Sequence, residues 1–197
     1  MKLGKPQIFL MFAALITAFS GNAVYANSYF EQSSKIADTM PFTNALPSSK
    51  KELISTFSTT FTKNPKARNH NIKLASIALD QYVIEPGKTF SFNEVIGYAG
   101  PEQGYEIATI LVNGKEEKAY GGGICQVSST LYNAALEAGL EIVERHPHSK
   151  EVYYVEKGKD AATSYGTKDL KLKNNFPCPL TINTYINDNT FTAEILK

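Results

Sequence analysis

The run Gly121-Gly122-Gly123-Ile124-Cys125-Gln126 constrains this chain more than any other stretch. It sets one of two cysteines directly ahead of a segment with helical periodicity. In that segment, Gln126 to Ala138, the residues Val127, Leu131, Ala134, Ala135 and Ala138 form one stripe, and Gly139 follows as a stop. Successive glycines allow backbone angles that a side chain forbids, and they leave the approach to the sulfur open. A helix starting here aims its unpaired N–H groups and positive dipole end at the sulfur, which favours thiolate over thiol.

The rest of the pattern mixes one more helix with short strands. Asn71 to Tyr82 predicts a helix with Ile72, Ala75, Ser76 and Leu79 on one face, stopped by Ile84-Glu85-Pro86-Gly87. Lys51 to Phe61 suits either a helix or a strand, since Leu53, Ile54, Phe57 and Phe61 have helical spacing within a Ser/Thr-rich run. Strands are expected over Thr89 to Phe92 and over Ile107 to Val112, with Asn113-Gly114 as a hairpin turn. Further strands are expected over Glu141 to Val143, Val152 to Val155, Leu180 to Ile186 and Phe191 to Leu196, the last two joined by Asp188-Asn189. Strands without regular alternation around two principal helices point to an α+β domain with a mainly antiparallel sheet.

The N-terminus changes what the cysteines can mean. Lys2 and Lys5 precede an apolar run, Ile8 to Phe19, and Val24-Tyr25-Ala26 offers a cleavage site. The apolar run is shorter than the roughly 20 residues of a membrane-spanning helix. Residues 1–26 therefore read as an export signal, leaving no stable membrane insertion after cleavage. Residues 27–49, polar and rich in Ser and Pro, read as a linker or arm, and residues 50–197 as the folded domain. An exported protein with two cysteines can bridge them, here Cys125 to Cys178, although a domain of this size can bury its own core without a staple. The net charge of +1 argues against a nucleic-acid binder.

Downstream of the cysteine, Glu144-Arg145-His146-Pro147-His148-Ser149 supplies two of the three histidines. A helix of about 14 residues runs roughly 20 Å away from Cys125, and an extended Glu141 to His146 covers the same distance back. His148 can thus reach Cys125, which makes the pair a candidate nucleophile and base; the alternative is an inert buried thiol. Asp160 could orient a histidine or cap a turn, and Arg145 could grip a substrate carboxylate or pair with Glu144 or Glu156. Zinc would need Glu144 or Asp160 beside the Cys and His residues, at a spacing that matches no common ligand cluster, so no metal is expected. No cofactor is expected either: the triple glycine lacks the Lys-Ser/Thr ending of a phosphate loop.

The series Pro86-Gly87-Lys88-Thr89-Phe90-Ser91-Phe92-Asn93, Gly104-Tyr105, Gly121 to Ser128, Leu131-Tyr132-Asn133-Ala134-Ala135, Glu144-Arg145 with His148-Ser149, Gly158 with Asp160-Ala161, and Asp169-Leu170 with Asn174-Asn175 resembles the VanW domain. The resemblance runs from about residue 50 to the C-terminus. It implies a bacterial envelope protein, with a link to glycopeptide-resistance gene clusters. It further implies an L,D-transpeptidase in which Cys125 attacks a peptidoglycan stem peptide and His148 shuttles the proton, with Asp160 the candidate for a third member that the resemblance leaves open. Arg145, Gly122, Gly123, Gln126 and Ser128 would then lie beside the substrate. A noncatalytic wall- or glycopeptide-binding module, and a cysteine peptidase or carboxypeptidase of stem peptides, are the rival expectations.

Overall fold

The computed structural model describes residues 51–61, 65–112 and 114–197. The expected export signal and linker lie outside these residues. Strand β1 (Leu53–Thr60) resolves the Lys51–Phe61 ambiguity in favour of β structure. It is followed by helix α1 (Lys66–Leu79), strands β2 (Tyr82–Ile84) and β3 (Thr89–Ser91), and a short helix α2 (Phe92–Ile96). Strands β4 (Ile107–Val112) and β5 (Lys115–Tyr120) form a hairpin, and helix α3 (Ile124–Glu137) comes next. Strands β6 (Glu141–Glu144), β7 (Lys171–Lys173), β8 (Leu180–Asn187) and β9 (Thr190–Leu196) complete the domain.

The architecture is α+β, and every strand pairing is antiparallel. The larger sheet has the order β1-β9-β8-β2, a second has the order β3-β7-β6, and the β4-β5 hairpin stands as its own ribbon. Helix α3 packs on β1 and β9, with α1 alongside it. The predicted α3 stripe of Val127, Leu131, Ala134, Ala135 and Ala138 is buried, as is the α1 face of Ile72, Ala75 and Leu79. They meet Leu180, Ile182, Phe191, Ala193 and Ile195 of the sheet in one core.

Three local expectations are corrected. The structure has three helices among the described residues, not two, because the Thr89–Phe92 strand stops one residue early. Ser91 there caps α2, its Oγ accepting the Glu94 N–H at 3.1 Å. Helix α1 begins at Lys66, directly after Pro65, and ends at Leu79; Gln81 then takes φ 60° and Tyr82 enters β2. Val152 to Val155 is not a strand. Its tyrosines line a cleft instead, and Lys171–Lys173 takes the place in the sheet between β3 and β6.

No helix among the described residues is long and apolar enough to cross a membrane. Both cysteines are free thiols, so the Cys125–Cys178 bridge is absent.

Candidate active site

Cys125 is the second residue of α3, and the way the chain enters that helix decides where its sulfur sits. Gly123 adopts φ 115°, and Gly122 passes so close to β4 that a Cβ would lie 2.6 Å from the Thr109 carbonyl oxygen. Neither position admits a side chain without strain or displacement of backbone. Asn71 of α1, fully buried, clamps this turn. Its Nδ2 donates to the carbonyls of Glu106 (2.9 Å) and Gly122 (3.0 Å), while its Oδ1 accepts the Glu106 N–H at 2.8 Å. The glycines thus serve close packing as much as access to the thiol.

The second half of the site is carried by two loops lying against α3. Past β6, the segment through Arg145 and His148 pairs with the loop at 160–162, with the Ala162 N–H donating to the His146 carbonyl at 2.7 Å. Polar side chains on α3 hold that second loop. Ser128 Oγ donates to the Ala161 carbonyl (2.7 Å), Ser129 Oγ accepts the Ala161 N–H (2.8 Å), and Asn133 Nδ2 donates to the Lys159 carbonyl (2.7 Å). The same helix that presents Cys125 therefore sets the position of Asp160.

Cys125, His148 and Asp160 meet. Asp160 Oδ2 lies 2.6 Å from both the backbone N and the Nδ1 of His148. With Nδ1 so engaged, Nε2 is the ring nitrogen left for Cys125, with which His148 shares the lining of one cleft. Asp160 Oδ1 accepts from Arg145 Nη2 at 2.8 Å. The His148 side chain is only 7% exposed, which leaves the ring little contact with bulk water.

The electrostatics favour charge separation. Burial pushes the Cys125 thiol up, but the hydrogen bond and charge of His148, helped by contacts with Thr163, outweigh it and the net direction is down. Burial pulls the His148 imidazolium down, and its bonds to Cys125 and Asp160 reverse this, raising it above its ordinary value. Burial likewise raises Asp160, which the His148 hydrogen bonds and the charges of His148 and Arg145 bring below the usual carboxylate range. Together the shifts favour a thiolate–imidazolium pair braced by a carboxylate.

At the helix start, the Ile124 and Gln126 N–H groups are occupied by the Gly121 (3.1 Å) and Gly123 (3.0 Å) carbonyls. These two donors are therefore already engaged and do not serve an anion at the sulfur. Cys125 and His148 open into a cleft of about 710 Å³ walled by Ile96, Tyr98, Tyr120, Tyr153, Tyr154 and Tyr165 among others. Two edge-to-face pairs, Tyr98–Tyr165 at 6.0 Å and Tyr153–Tyr154 at 5.4 Å, belong to this lining.

The remaining expected residues are placed differently from one another. Arg145 directs its donors inward: Nε to the Asp160 carbonyl (2.6 Å) and Nη2 to the Gly158 carbonyl (3.0 Å) as well as to the carboxylate, with the guanidinium 5.5 Å from the Tyr132 ring. It braces Asp160 in this structure. Gly123 and Gln126 are in the cleft wall, whereas Gly122 and Ser128 are buried behind it. Gln126 spends its amide on Thr59 Oγ1 and the Thr60 carbonyl (3.0 Å each) and on Arg68. His146 turns to the surface, its Nε2 2.9 Å from Glu144 Oε1.

Sequence reasoning missed Arg68, Asn71, Ser129, Asn133, Tyr154 and Thr163. Ser129 and Asn133 carry a readable signal: polar residues one turn apart, with Ser128, on a helix face that becomes fully buried. Arg68 and Tyr154 carry none, because their place in the cleft depends on long-range packing.

Comparison with known proteins agrees with the motif reading. A family model described as "VanW like protein" matches residues 67–196. The uncharacterized protein YoaR of Bacillus subtilis (strain 168) is 42% identical over 166 residues, 80% of this chain and 54% of that protein. The vancomycin B-type resistance protein VanW of Enterococcus faecalis (strain ATCC 700802 / V583) is 33% identical over 134 residues, 64% of this chain and 47% of that protein. The chain spans about half the length of each of these relatives. No solved structure matches the chain significantly.

Proposed function

Because the chain belongs to the VanW family, we propose that it is an exported cysteine acyltransferase that modifies peptidoglycan stem peptides, as an L,D-transpeptidase. One observation carries the reading. The thiol at the start of α3 shares an open cleft with an imidazole whose charge pulls its pKa down and whose Nδ1 is held by a buried carboxylate. That set matches the nucleophile, base and orienting group of acyl transfer.

In this mechanism the Cys125 thiolate attacks the carbonyl between the third stem residue and the terminal D-Ala. The carbonyl oxygen becomes an oxyanion facing the Cys125 N–H and the positive end of α3, and a donor of this kind contributes about 10²–10³ in rate. The imidazolium of His148 gives its proton to the departing D-Ala amine as the C–N bond breaks, leaving a thioester. Neutral His148 then takes a proton from the acceptor amine of a neighbouring stem as that amine attacks the thioester. The new amide forms and the thiolate–imidazolium pair is restored. Asp160 keeps the ring in the productive tautomer and balances its charge in both half-reactions.

Export rests on the N-terminal leader pattern. The printed name of the enterococcal relative associates that protein with vancomycin resistance, and a role in the same resistance context is the corresponding proposal for this chain. Incubation with purified tetrapeptide muropeptides followed by mass spectrometry tests the reading. A product that gains one stem and loses D-Ala is expected. Loss of D-Ala alone would assign water as the acceptor and make the site a carboxypeptidase. No change across several stems would remove the enzymatic reading.

A further inference from the structure

Arg145 directs its charge inward to Asp160, which leaves the cleft's own cation to be accounted for. Among the described residues lining the cleft, that cation is Arg68 of α1. It sits against the turn that presents the thiol. A Cβ on Gly123 would lie 3.1 Å from both Arg68 Cγ and the Arg68 carbonyl oxygen, so the side chain lies across that glycine. Its Nη2 donates to Gln126 Oε1 at 2.9 Å, and its guanidinium carbon is 6.0 Å from each of the Tyr153 and Tyr154 ring centres. Arg68 is thus anchored two residues before Cys125 and one residue after it.

No carboxylate lies within ion-pair distance of Arg68 among the described residues. The two acids of the cleft lining are Glu116 and Glu151, and the latter pairs with Lys157 at 3.1 Å. The Nε of Arg68 is buried with no acceptor. A partly buried guanidinium that holds a single neutral acceptor is poised for an anion, and its planar fork suits a carboxylate.

We infer that Arg68 forms the carboxylate subsite of this cleft, binding the free C-terminal α-carboxylate of the acyl-donor peptide one residue beyond the carbonyl that Cys125 attacks. The inference rests on the acyl-transfer reading and adds a specificity to it. One residue of extended chain spans about 3.5 Å, and Arg68 is seated on Gly123 and Gln126, which flank the thiol in sequence. The enzyme then acts on chain ends: the single amino acid released is the one whose carboxylate Arg68 holds. A donor that continues past that residue, or ends in an amide, forfeits the contact.

The test compares a tetrapeptide stem with its C-terminal amide, by calorimetry on the full chain carrying Cys125→Ala, so that binding is read without turnover. A charge-assisted contact of this type contributes enough for about a tenfold preference for the acid. Adding Arg68→Gln should abolish the preference, and Arg68→Lys should keep part of it. A second readout needs no peptide: iodoacetate and iodoacetamide both transfer their carbon to the Cys125 sulfur with loss of iodide, and differ in charge. Their rate ratio at Cys125 should fall severalfold in Arg68→Gln, whatever that variant does to the thiol itself. Equal binding of acid and amide by the protein that keeps Arg68, which requires no substitution at Arg68, overturns the subsite. So does a preference or rate ratio that survives Arg68→Gln in a protein with unchanged melting temperature. Acid preference without turnover of muropeptides would instead remove acyl transfer and leave the subsite standing.

Discussion

Cys125 and Cys178 are the same residue in one domain, both free and both half-buried, and their surroundings share little. Cys178 lies in the Pro177-Cys178-Pro179 corner before β8, packed against the hydrophobic core. There the backbone carbonyl carries the polar contact, accepting from Asn174 Nδ2 at 2.9 Å. Cys125 stands at a helix start, its pKa pulled down by the charge of His148, with its thiol directed to the Thr163 carbonyl at 3.5 Å. One sulfur fills space and the other is held ready for charge. The contrast lies in the groups that meet each sulfur, since both are half-buried.

The largest expected effect breaks this contrast outright. Cys125→Ala should lower turnover of the muropeptide substrate by at least about 10³, as loss of a nucleophile does. Cys178→Ala should leave turnover per folded molecule unchanged and lower the melting temperature by a few degrees through lost packing, roughly 2–4 °C per kcal/mol for a domain of this size. Equal losses in both variants would mean that the site has been misplaced.

Next in size are the groups that make Cys125 different. His148→Ala should approach the Cys125 variant, and Asp160→Asn should cost roughly 10²–10⁴ in kcat because the imidazole loses its tautomer and charge partner. Asp160→Asn should also slow alkylation of Cys125 near neutral pH while leaving Cys178 untouched, which mass spectrometry of the two peptides would read. A variant that lost activity with its alkylation rate intact would reduce Asp160 to a loop anchor.

The pH dependence sharpens the same comparison. Because the Cys125 thiol is lowered, its thiolate persists to a pH below that of an ordinary thiol. Because His148 is raised, its imidazolium persists to a pH above that of an ordinary histidine. The productive ion pair therefore occupies the window between the two, and kcat/KM should be bell-shaped across it. Alkylation of Cys125 should turn on at the acid limb, with Cys178 lagging by about tenfold at neutral pH. Identical alkylation profiles for the two cysteines would remove the ion pair.

How much of this was legible in the sequence follows from how local each signal is. The glycine turn, the α3 stripe and Gly139 are contiguous, so the helix and its leading thiol can be read directly. His148 is legible through arithmetic, since a helix out and a strand back cover equal lengths. Asp160 is legible only as a choice between orienting a histidine and capping a turn, because its partners, Arg145 and His148, belong to a separate segment. Strand β7 escapes because Lys171-Leu172-Lys173 offers a single apolar residue. Leu172 nevertheless becomes fully buried between Phe90 of β3 and Ile142 of β6, an environment supplied by neighbours roughly 30 and 80 positions away. Val152 to Val155 misleads for the opposite reason: its composition favours a strand, but no sheet edge pairs with it, and its tyrosines are used on the cleft instead.

The smallest effect concerns the second histidine of the same segment, two residues from the first. His146 bonds Glu144, whose other oxygen accepts Lys171 Nζ at 2.8 Å, and whose Oε1 also takes the Asp169 N–H at 3.1 Å. The hydrogen bond from Lys171, then that from His146, pull the Glu144 carboxyl down to about 2. A carboxylate depressed in the folded state stabilises it above the unfolded value near 4.3 and loses that contribution as pH falls toward 2. The network is partly exposed, so solvent and salt screen it. Glu144→Gln should therefore cost no more than about 1 kcal/mol at neutral pH, and less still in acid, where wild type and variant converge. Turnover should stay within twofold, because Glu144, Asp169 and Lys171 are not in the lining of the Cys125 cleft. A large loss of activity in Glu144→Gln with an unchanged melting temperature would show that the two histidines are coupled through Pro147, and that the surface network helps to set the position of the catalytic ring.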